Sequence, residues 1–534
     1  MKNEPNSRIE DFGNPLSAAE KCGPLVYASE CLFNRYPWCT PSLPCEDQGD
    51  YYRVAGFYIP KSFSIHDEEI GNYYERTGAF REAERKSAEF YGADETLFGV
   101  QGTTWNMRTI LNTLARQQRN NGNKNVKVIS SPDVHLCNHN SYREYGIGVT
   151  YLPINYDNER EMLLPSSPED LQRKLEEDNN HKKVSGVVIT TPTYEGTTAH
   201  LDKIVKVSHD YGLPVIVDEA WGAHLVTPRL PKSAMQCGAD ICAQSIHKQG
   251  GGLNQTSVIH FKYGVFDESF FKNLVETRNN FTNTSVNWDL LASIDAARQF
   301  LQTKGDEVLG KMIDASEDVR KKVKGINGLS TFGREICDIH KDYIQDVDLT
   351  KITVDTTQTG ISGDQMSHLL QKHFHIIPER SESRHVQFLT NYRIAENTWE
   401  VYHLADALKR ITTFCSPREN NLKQNHVKYP TEIIKVAEHY EVYELPEKYK
   451  ELVKLEDSVG RTSADNVCSY PPGRFVVREG EQITPAHVGY FKELRKRNAS
   501  IRSKDSSLEK IYVLKPEAVE LLERGQKTGD LWAI

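Results

Sequence analysis

The sequence predicts an α/β fold built on a mostly parallel sheet with helices on both faces, and two observations carry this. Near-continuous apolar runs (Val126-Lys-Val-Ile129, Val184-Ser-Gly-Val-Val-Ile-Thr190, Leu213-Pro-Val-Ile-Val-Asp218 and Ala239 to Ser245) alternate with stretches of helical spacing. Strands buried on both faces read in this way. In addition, Thr103, His135, Thr193, Asp218, Ser245, His247 and Lys248 all fall at or just past the ends of such runs, where open α/β sheets bind their ligands.

In chain order, residues 1–75 read as a wrapping arm. Pro37-Trp-Cys-Thr-Pro-Ser-Leu-Pro44 is too rich in proline for a helix interior or a central strand. Residues 76–343 form the large unit. It opens with an amphipathic helix from Arg81 to Tyr91, a short strand Leu97-Phe-Gly-Val100, and a helix from Gly102 to Arg116. The alternation then runs through helices at Glu169–Glu176 and Leu201–Tyr211, the strands named above, and a strand at Ser257–Phe261. Thr284-Ser-Val-Asn-Trp288 introduces two helical stretches, Leu290–Arg298 and about 306–325. Residues 344–416 read as a smaller α/β domain, with a strand at Leu349–Val354 and a helix at Gly363–Lys372. The charged stretch from about 417 to 430 is a linker, and 417–534 is a compact C-terminal domain.

Bulk properties exclude several classes. At 534 residues, about three or four domains are expected. The 38% hydrophobic and 26% charged content is that of a soluble globular protein. A formal net charge of −9, spread along the chain, calls for neither nucleic acid nor an anionic membrane. Ten cysteines without paired spacing point to a reducing compartment, and a cytoplasmic location is expected. Cys337-Asp-Ile-His340 has no second pair, so no metal site is expected.

The chemistry centres on Ala243-Gln-Ser-Ile-His-Lys-Gln-Gly-Gly-Gly-Leu-Asn-Gln-Thr256, which reads as strand, tight glycine loop, strand. Lys248 in a partly dry pocket would have its pKa lowered and become nucleophilic toward an aldehyde. That is what an internal Schiff base with pyridoxal 5′-phosphate needs. The same cofactor needs a carboxylate for its pyridine nitrogen, supplied by Asp218, and a flat partner for its ring, supplied by His135. Its phosphate needs backbone N–H groups and hydroxyls, for which Gly102, Thr103 and Thr104 at a helix start, with Ser245 and His247, are placed. Taken singly, Gly102 to Thr104 could be a plain N-cap, Asp218 a turn residue and His135 a surface histidine. Their joint occurrence at strand ends favours one cofactor site.

The runs Thr191-Pro-Thr-Tyr-Glu-Gly196, Val217-Asp-Glu-Ala-Trp-Gly-Ala-His224 and Ser245-Ile-His-Lys248 closely resemble the Orn/Lys/Arg decarboxylases, pyridoxal-phosphate enzymes of the aminotransferase-like fold type I. So do Val100-Gln-Gly-Thr-Thr104, Thr284-Ser285 ahead of Leu290-Leu-Ala-Ser293, and Tyr470-Pro-Pro-Gly473. The likeness runs from about residue 75 to the end of the chain. It implies a large cofactor-binding domain, a smaller α/β domain and a C-terminal decarboxylase-type domain.

It implies Lys248 as the Schiff-base lysine, Asp218 on the pyridine nitrogen, and Thr103, Thr104, Ser245 and His247 on the phosphate. Trp221 and Thr193 would lie by the cofactor. Thr284 and Ser285 would reach the phosphate of a neighbouring subunit, so at least a homodimer with shared active sites is implied. His135 rather than His139 matches the family's ring-stacking histidine, although Leu136-Cys137 replaces its Lys-Ser.

The implied activity is decarboxylation of a basic amino acid of the arginine, lysine or ornithine type. Lys248 or His247 would return the proton, and a carboxylate such as Glu481 would shape the pocket. The family's Pro-Gly-His-Lys-type motif on the substrate side has no counterpart; Tyr58-Ile-Pro-Lys-Ser62 is nearest, and Gly71-Asn-Tyr-Tyr-Glu-Arg76 replaces an acidic stretch. This departure motivates an alternative that keeps the cofactor and breaks another bond, as a deaminase, oxidase, lyase or aldolase-type enzyme does. A cofactor-free regulatory homologue fits poorly with an intact Lys248, Asp218 and phosphate set.

Overall fold

Seven short segments build the central sheet: β1 (Glu95–Gly99), β2 (Lys127–Ser130), β3 (Gly148–Tyr151), β4 (Val187–Thr190), β5 (Val215–Asp218), β6 (Ile241–Ser245) and β7 (Ser257–Phe261). Their order is β1-β7-β6-β5-β4-β2-β3. Every pairing from β6 to β3 is parallel, and β7 alone runs antiparallel to its neighbours β6 and β1. The reason is local: residues 246–256 are fewer than the dozen or so that a parallel crossover needs.

This computed structural model describes residues 36–38, 71–177, 182–414, 427–469, 473–497 and 499–528. Tyr58–Ser62, most of the expected linker and Tyr470–Pro472 lie outside the described residues. Within the arm, Tyr36–Trp38 pairs in parallel with Ile376–Pro378.

The helices of the large unit are α1 (Gly78–Tyr91), α2 (Gly102–Asn120), α3 (Leu136–Glu144), α4 (Pro168–Glu176), α5 (Leu201–Asp210), α6 (Glu268–Phe281) and α7 (Trp288–Lys324). Strand alternation divides the core between two faces. Val128, Val188, Ile216 and Ile241 join the layer formed with α2 and α6. Ile129, Val187, Ile189, Val215 and Val217 join the opposite layer, with Leu171 and Leu175 of α4 and Ile204 and Val205 of α5. Both faces are thus covered, which is why these strands carry no polar alternation.

α7 is a single helix of 37 residues, where the sequence suggests two stretches. Gly305 does not break it. A Cβ there would meet Leu301 and Val226 side chains, at 3.8 and 3.9 Å, and the helix is continuous through this position. α3 and α6 are not evident from periodicity. α3 buries Asn138, His139 and Ser141 and so shows no apolar stripe, whereas α6 is capped by the Asp267 side chain, which accepts from the Phe270 N–H.

The C-terminal part of α7 also supports a second, antiparallel sheet. Its strands are β8 (Ser330–Thr331), β9 (Lys351–Asp355), β10 (Arg380–Ser381) and β11 (His385–Leu389), in the order β8-β9-β11-β10. With α8 (Gly363–Phe374) and α9 (Trp399–Phe414), it encloses its own apolar core of Val319, Ile352, Val386, Leu370 and Leu404. Beyond residue 427, Val467–Ser469 pairs with Arg474–Val477 and Ile501–Arg502, and Lys450–Lys454 pairs with Lys510–Leu514. Among the described residues no helix is long and apolar enough to cross a membrane, and no group of three His, Cys, Asp or Glu side chains is arranged to hold a metal ion.

Candidate active site

A cavity of about 610 Å³ lies at the carboxyl ends of the sheet, within the size range of small-molecule sites. Gly102, Thr103, Thr104, His135, Thr193 and Asp218 line it, as do Trp221, Ser245, His247 and Lys248. One sheet edge therefore gathers residues spread over almost 150 positions of sequence.

Lys248 sits in one π-type turn, Ile246–Gly250, directly after β6. The chain leaves that turn through Gly251 at φ +93°, where a Cβ would lie 2.9 Å from Tyr392 Cε2. Glycine is needed both for the backbone angle and for the close approach. Lys248 Nζ lies 4.1 Å from the Trp221 ring centroid. Burial lowers its pKa below the usual lysine range, against the opposing pull of Asp218 and Glu379.

Asp218 ends β5 and is buried. Its carboxylate accepts hydrogen bonds from Asn138 Nδ2 at 2.8 Å and from the Ala220 N–H at 3.3 Å. These donors fix its orientation toward the cavity that it lines. His135 caps α3, its Nδ1 accepting from the Cys137 N–H at 3.2 Å. Burial lowers the His135 pKa, with Asp218 acting upward and Lys248 downward, so the ring is held as a neutral, flat imidazole with its tautomer set by the cap.

The first turn of α2 completes the wall. Gly102, at φ +77°, has open space where a Cβ would stand. Thr103 Oγ1 lies 2.7 Å from Ser245 Oγ, joining the helix start to the end of β6. His247 Nδ1 donates to the Thr256 carbonyl at 2.8 Å, which commits that nitrogen and leaves Nε2 for a ligand. The Gly102 N–H is taken by the Gln255 carbonyl at 2.8 Å, so the anion cradle rests on the next N–H groups of the first turn, at Thr103 and Thr104, and on the Thr103 and Ser245 hydroxyls.

Not every residue singled out in the sequence reaches this cavity. Thr284 and Ser285 are exposed in the turn before α7 and do not line it. His139 is buried elsewhere, 4.5 Å from the His439 ring and 4.6 Å from Phe475, with Nδ1 3.1 Å from Tyr151 Oη. Glu481, expected to shape the pocket, does not line it either. Its carboxylate accepts from the Arg478 N–H at 2.9 Å and pairs with the Arg478 guanidinium at 3.1 Å, so it closes a turn and contributes no wall to the cavity.

The structure adds residues that sequence spacing does not reveal. Asp133, Tyr194, Glu195, Glu379 and Arg474 all line the cavity. Glu195 is held between Arg380 and Arg474, the latter at 2.8 Å. Burial alone would raise the Glu195 pKa, but the two guanidinium groups outweigh it and hold the carboxyl well below the usual range. This cluster ties the loop after β4 to β10 and to the C-terminal segment. Replacing Glu195, the carboxylate that both guanidinium groups share, by Gln should therefore cost about 3–5 kcal/mol of stability, as breaking a buried pair does; a denaturant midpoint unchanged from wild type would show that the cluster carries no such weight.

An order of this kind in a seven-stranded sheet, with a buried lysine after one strand and a carboxylate ending the next, defines an enzyme of the aminotransferase-like α/β class. The sequence matches the family described as "Orn/Lys/Arg decarboxylase, major domain" over residues 50–398, and its "C-terminal domain" over residues 421–501. The chain belongs to the Orn/Lys/Arg decarboxylase family.

Among curated relatives, it is 29% identical to an arginine decarboxylase of Bacillus subtilis over 456 residues, spanning 85% of this chain and 89% of that protein. It is likewise 29% identical to an arginine decarboxylase of Halalkalibacterium halodurans, over 82% of this chain and 86% of that one. Among solved structures, the constitutive lysine decarboxylase of E. coli superposes with a TM-score of 0.69 at 17% identity, covering 94% of this chain and 84% of that chain. Lysine decarboxylase A of Pseudomonas aeruginosa gives 0.70 at 16%, with the same coverage. At that identity the structural likeness speaks for the fold.

Proposed function

We propose that this chain decarboxylates a basic amino acid, of the arginine, lysine or ornithine type, with pyridoxal 5′-phosphate held covalently at Lys248. The observation that supports it most is the convergence of a buried amine, a buried carboxylate and an anion cradle on one cavity, in a chain of this family. The residues fit the cofactor. The open space beside Gly102 and the paired hydroxyls of Thr103 and Ser245 suit a phosphate, and Thr104 and His247 line the same cavity. The neutral ring of His135 offers a face for stacking, and Ala220, a small residue of the cavity wall, leaves room for a flat ring.

When bound, the cofactor supplies an aldehyde that captures the amino group and a protonated ring that takes up the electrons freed as the carboxylate departs. The chain's own residues do the rest. Asp218, oriented by Asn138, would hold the proton on the ring nitrogen by its negative charge. Lys248, lowered by burial, keeps a larger share of its amine unprotonated than an exposed lysine does, and so attacks readily. Lys248 Nζ, in the cavity wall, would carry the proton to the α-carbon, with His247 beside it on the same turn. Trp221 and Thr193 complete the wall around that amine. Thr284 and Ser285, exposed on the surface, are assigned to the cradle of a second copy, which would make the working unit a homodimer; the same reading places the protein in the cytoplasm.

The test is a substrate screen on the purified holoenzyme with arginine, lysine and ornithine, following carbon dioxide, ammonia and oxygen together. One carbon dioxide per amine formed is expected. Ammonia release or oxygen uptake without carbon dioxide would assign the chemistry to a different bond.

A further inference from the structure

We propose that Asp133 receives the positively charged end of the substrate side chain and so sets the preference for basic over neutral amino acids. This rests on the decarboxylase reading of the cavity, and it names a residue in the stretch Ser131-Pro-Asp-Val-His135 that motif spacing leaves unassigned.

The argument begins with the charges of the cavity wall. Its carboxylates are Asp133, Glu195, Asp218 and Glu379. Asp218 is held by Asn138 and the Ala220 N–H and faces the ring nitrogen in the proposed complex. Glu195 is bracketed by Arg380 and Arg474. Glu379 accepts from Tyr194 Oη at 2.7 Å. Asp133 differs from all three, because its Oδ1 is a buried atom with no hydrogen-bond partner.

A buried acceptor without a donor is costly, and a buried carboxylate more so. Burial pushes the Asp133 carboxyl up to about 6; Ser131 and Arg474 act against the rise, and Glu195 adds to it. Arg474 acts on Asp133 through space, whereas its ion pairs are with Glu195 at 2.8 Å and Glu382 at 3.8 Å. The wall therefore carries one carboxylate oxygen awaiting a donor, which a guanidinium or ammonium supplies. Position agrees with this. Asp133 stands two residues before His135, so its backbone lies within roughly 7 Å of the histidine assigned to the cofactor ring.

The neutral isostere Asp133→Asn tests this, with Asp133→Glu as the charge-keeping control. Lysine and norleucine, which has the same carbon chain without the terminal amine, are titrated into each holoenzyme while the visible absorption of the cofactor is followed, and kcat and KM are measured for lysine and arginine. Asp133→Asn should weaken binding of the basic amino acids on the order of 10- to 100-fold, the loss of a charge-assisted hydrogen bond. The rise should appear in KM with kcat little changed, and norleucine binding should stay as in wild type. Asp133→Glu should keep the preference for lysine over norleucine.

Equal weakening of lysine and norleucine, or unchanged lysine binding in Asp133→Asn, would overturn the assignment. If Asp133→Asn does not fold, loss of the preference in Asp133→Glu would also overturn it, and its retention supports it. Because binding is read separately from carbon dioxide release, a wild type that binds lysine yet releases none would refute the decarboxylase reading while still testing Asp133.

Discussion

Lys248→Ala is expected to give a folded protein that lacks the visible absorption band of a lysine-linked cofactor, with carbon dioxide release lower by at least on the order of 10²–10⁴-fold, the range for a lost proton-transfer group. The fold should survive, since the side chain faces the cavity and its close aromatic contact is the Trp221 ring at 4.1 Å. A cation–π contact of this sort contributes about 0.5–2 kcal/mol, offset by relief of the cost of burying an ammonium. The measurements are the absorption spectrum and the carbon dioxide assay side by side. A variant that keeps both the band and the turnover would remove Lys248 from the chemistry.

Asp218→Asn is the second large effect. The substitution keeps the size of a side chain ending β5 and removes its charge. Asn138, which donates to Asp218 at 2.8 Å, would then face an amide, and the ring nitrogen would lose the negative group that keeps it protonated. A fall in kcat on the order of 10²–10³-fold is expected, comparable with removal of one preorganised electrostatic partner. Substrate binding, read from the change in the visible band, should move far less. Equal losses in binding and kcat would show that Asp218 serves only to shape the cavity.

Much of this site can be read from the sequence because each of its main residues ends an apolar run. Asp218 follows Val-Ile-Val and Ser245 follows Ile-Cys-Ala-Gln, and a buried parallel strand leaves just its carboxyl end for chemistry. The same logic finds Gly102 and Thr103, which open a helix after β1. It does not reach Glu379 or Arg474, which come from β-rich segments far along the chain whose docking depends on long-range packing. Asp133 is hidden for another reason: it sits between Pro132 and Val134 in a loop with no period, and its significance lies in a missing partner, which no one-dimensional pattern records. Glu481 shows the converse, an acidic residue near recognisable motifs whose charge is consumed locally by Arg478. Helices that bury polar groups, as α3 buries Asn138 and His139, escape periodicity altogether even when they orient the central carboxylate.

A second buried lysine stands behind the cavity wall as a rival to the assigned nucleophile. Lys351, on β9, is buried, and burial pushes its ammonium down to about 7. Its Nζ lies 3.9 Å from the Trp221 ring centroid and donates to the Tyr194 carbonyl at 3.0 Å. Two amines thus share Trp221, one at the cavity wall and one committed to backbone carbonyls. The central claim, that Lys248 carries the cofactor, is tested most directly by reducing the holoenzyme with borohydride, digesting it and locating the modified lysine by mass spectrometry. One reduced pyridoxyl phosphate group on the peptide containing Lys248 is the expected result; modification of Lys351 instead, or of no lysine at all, would contradict it.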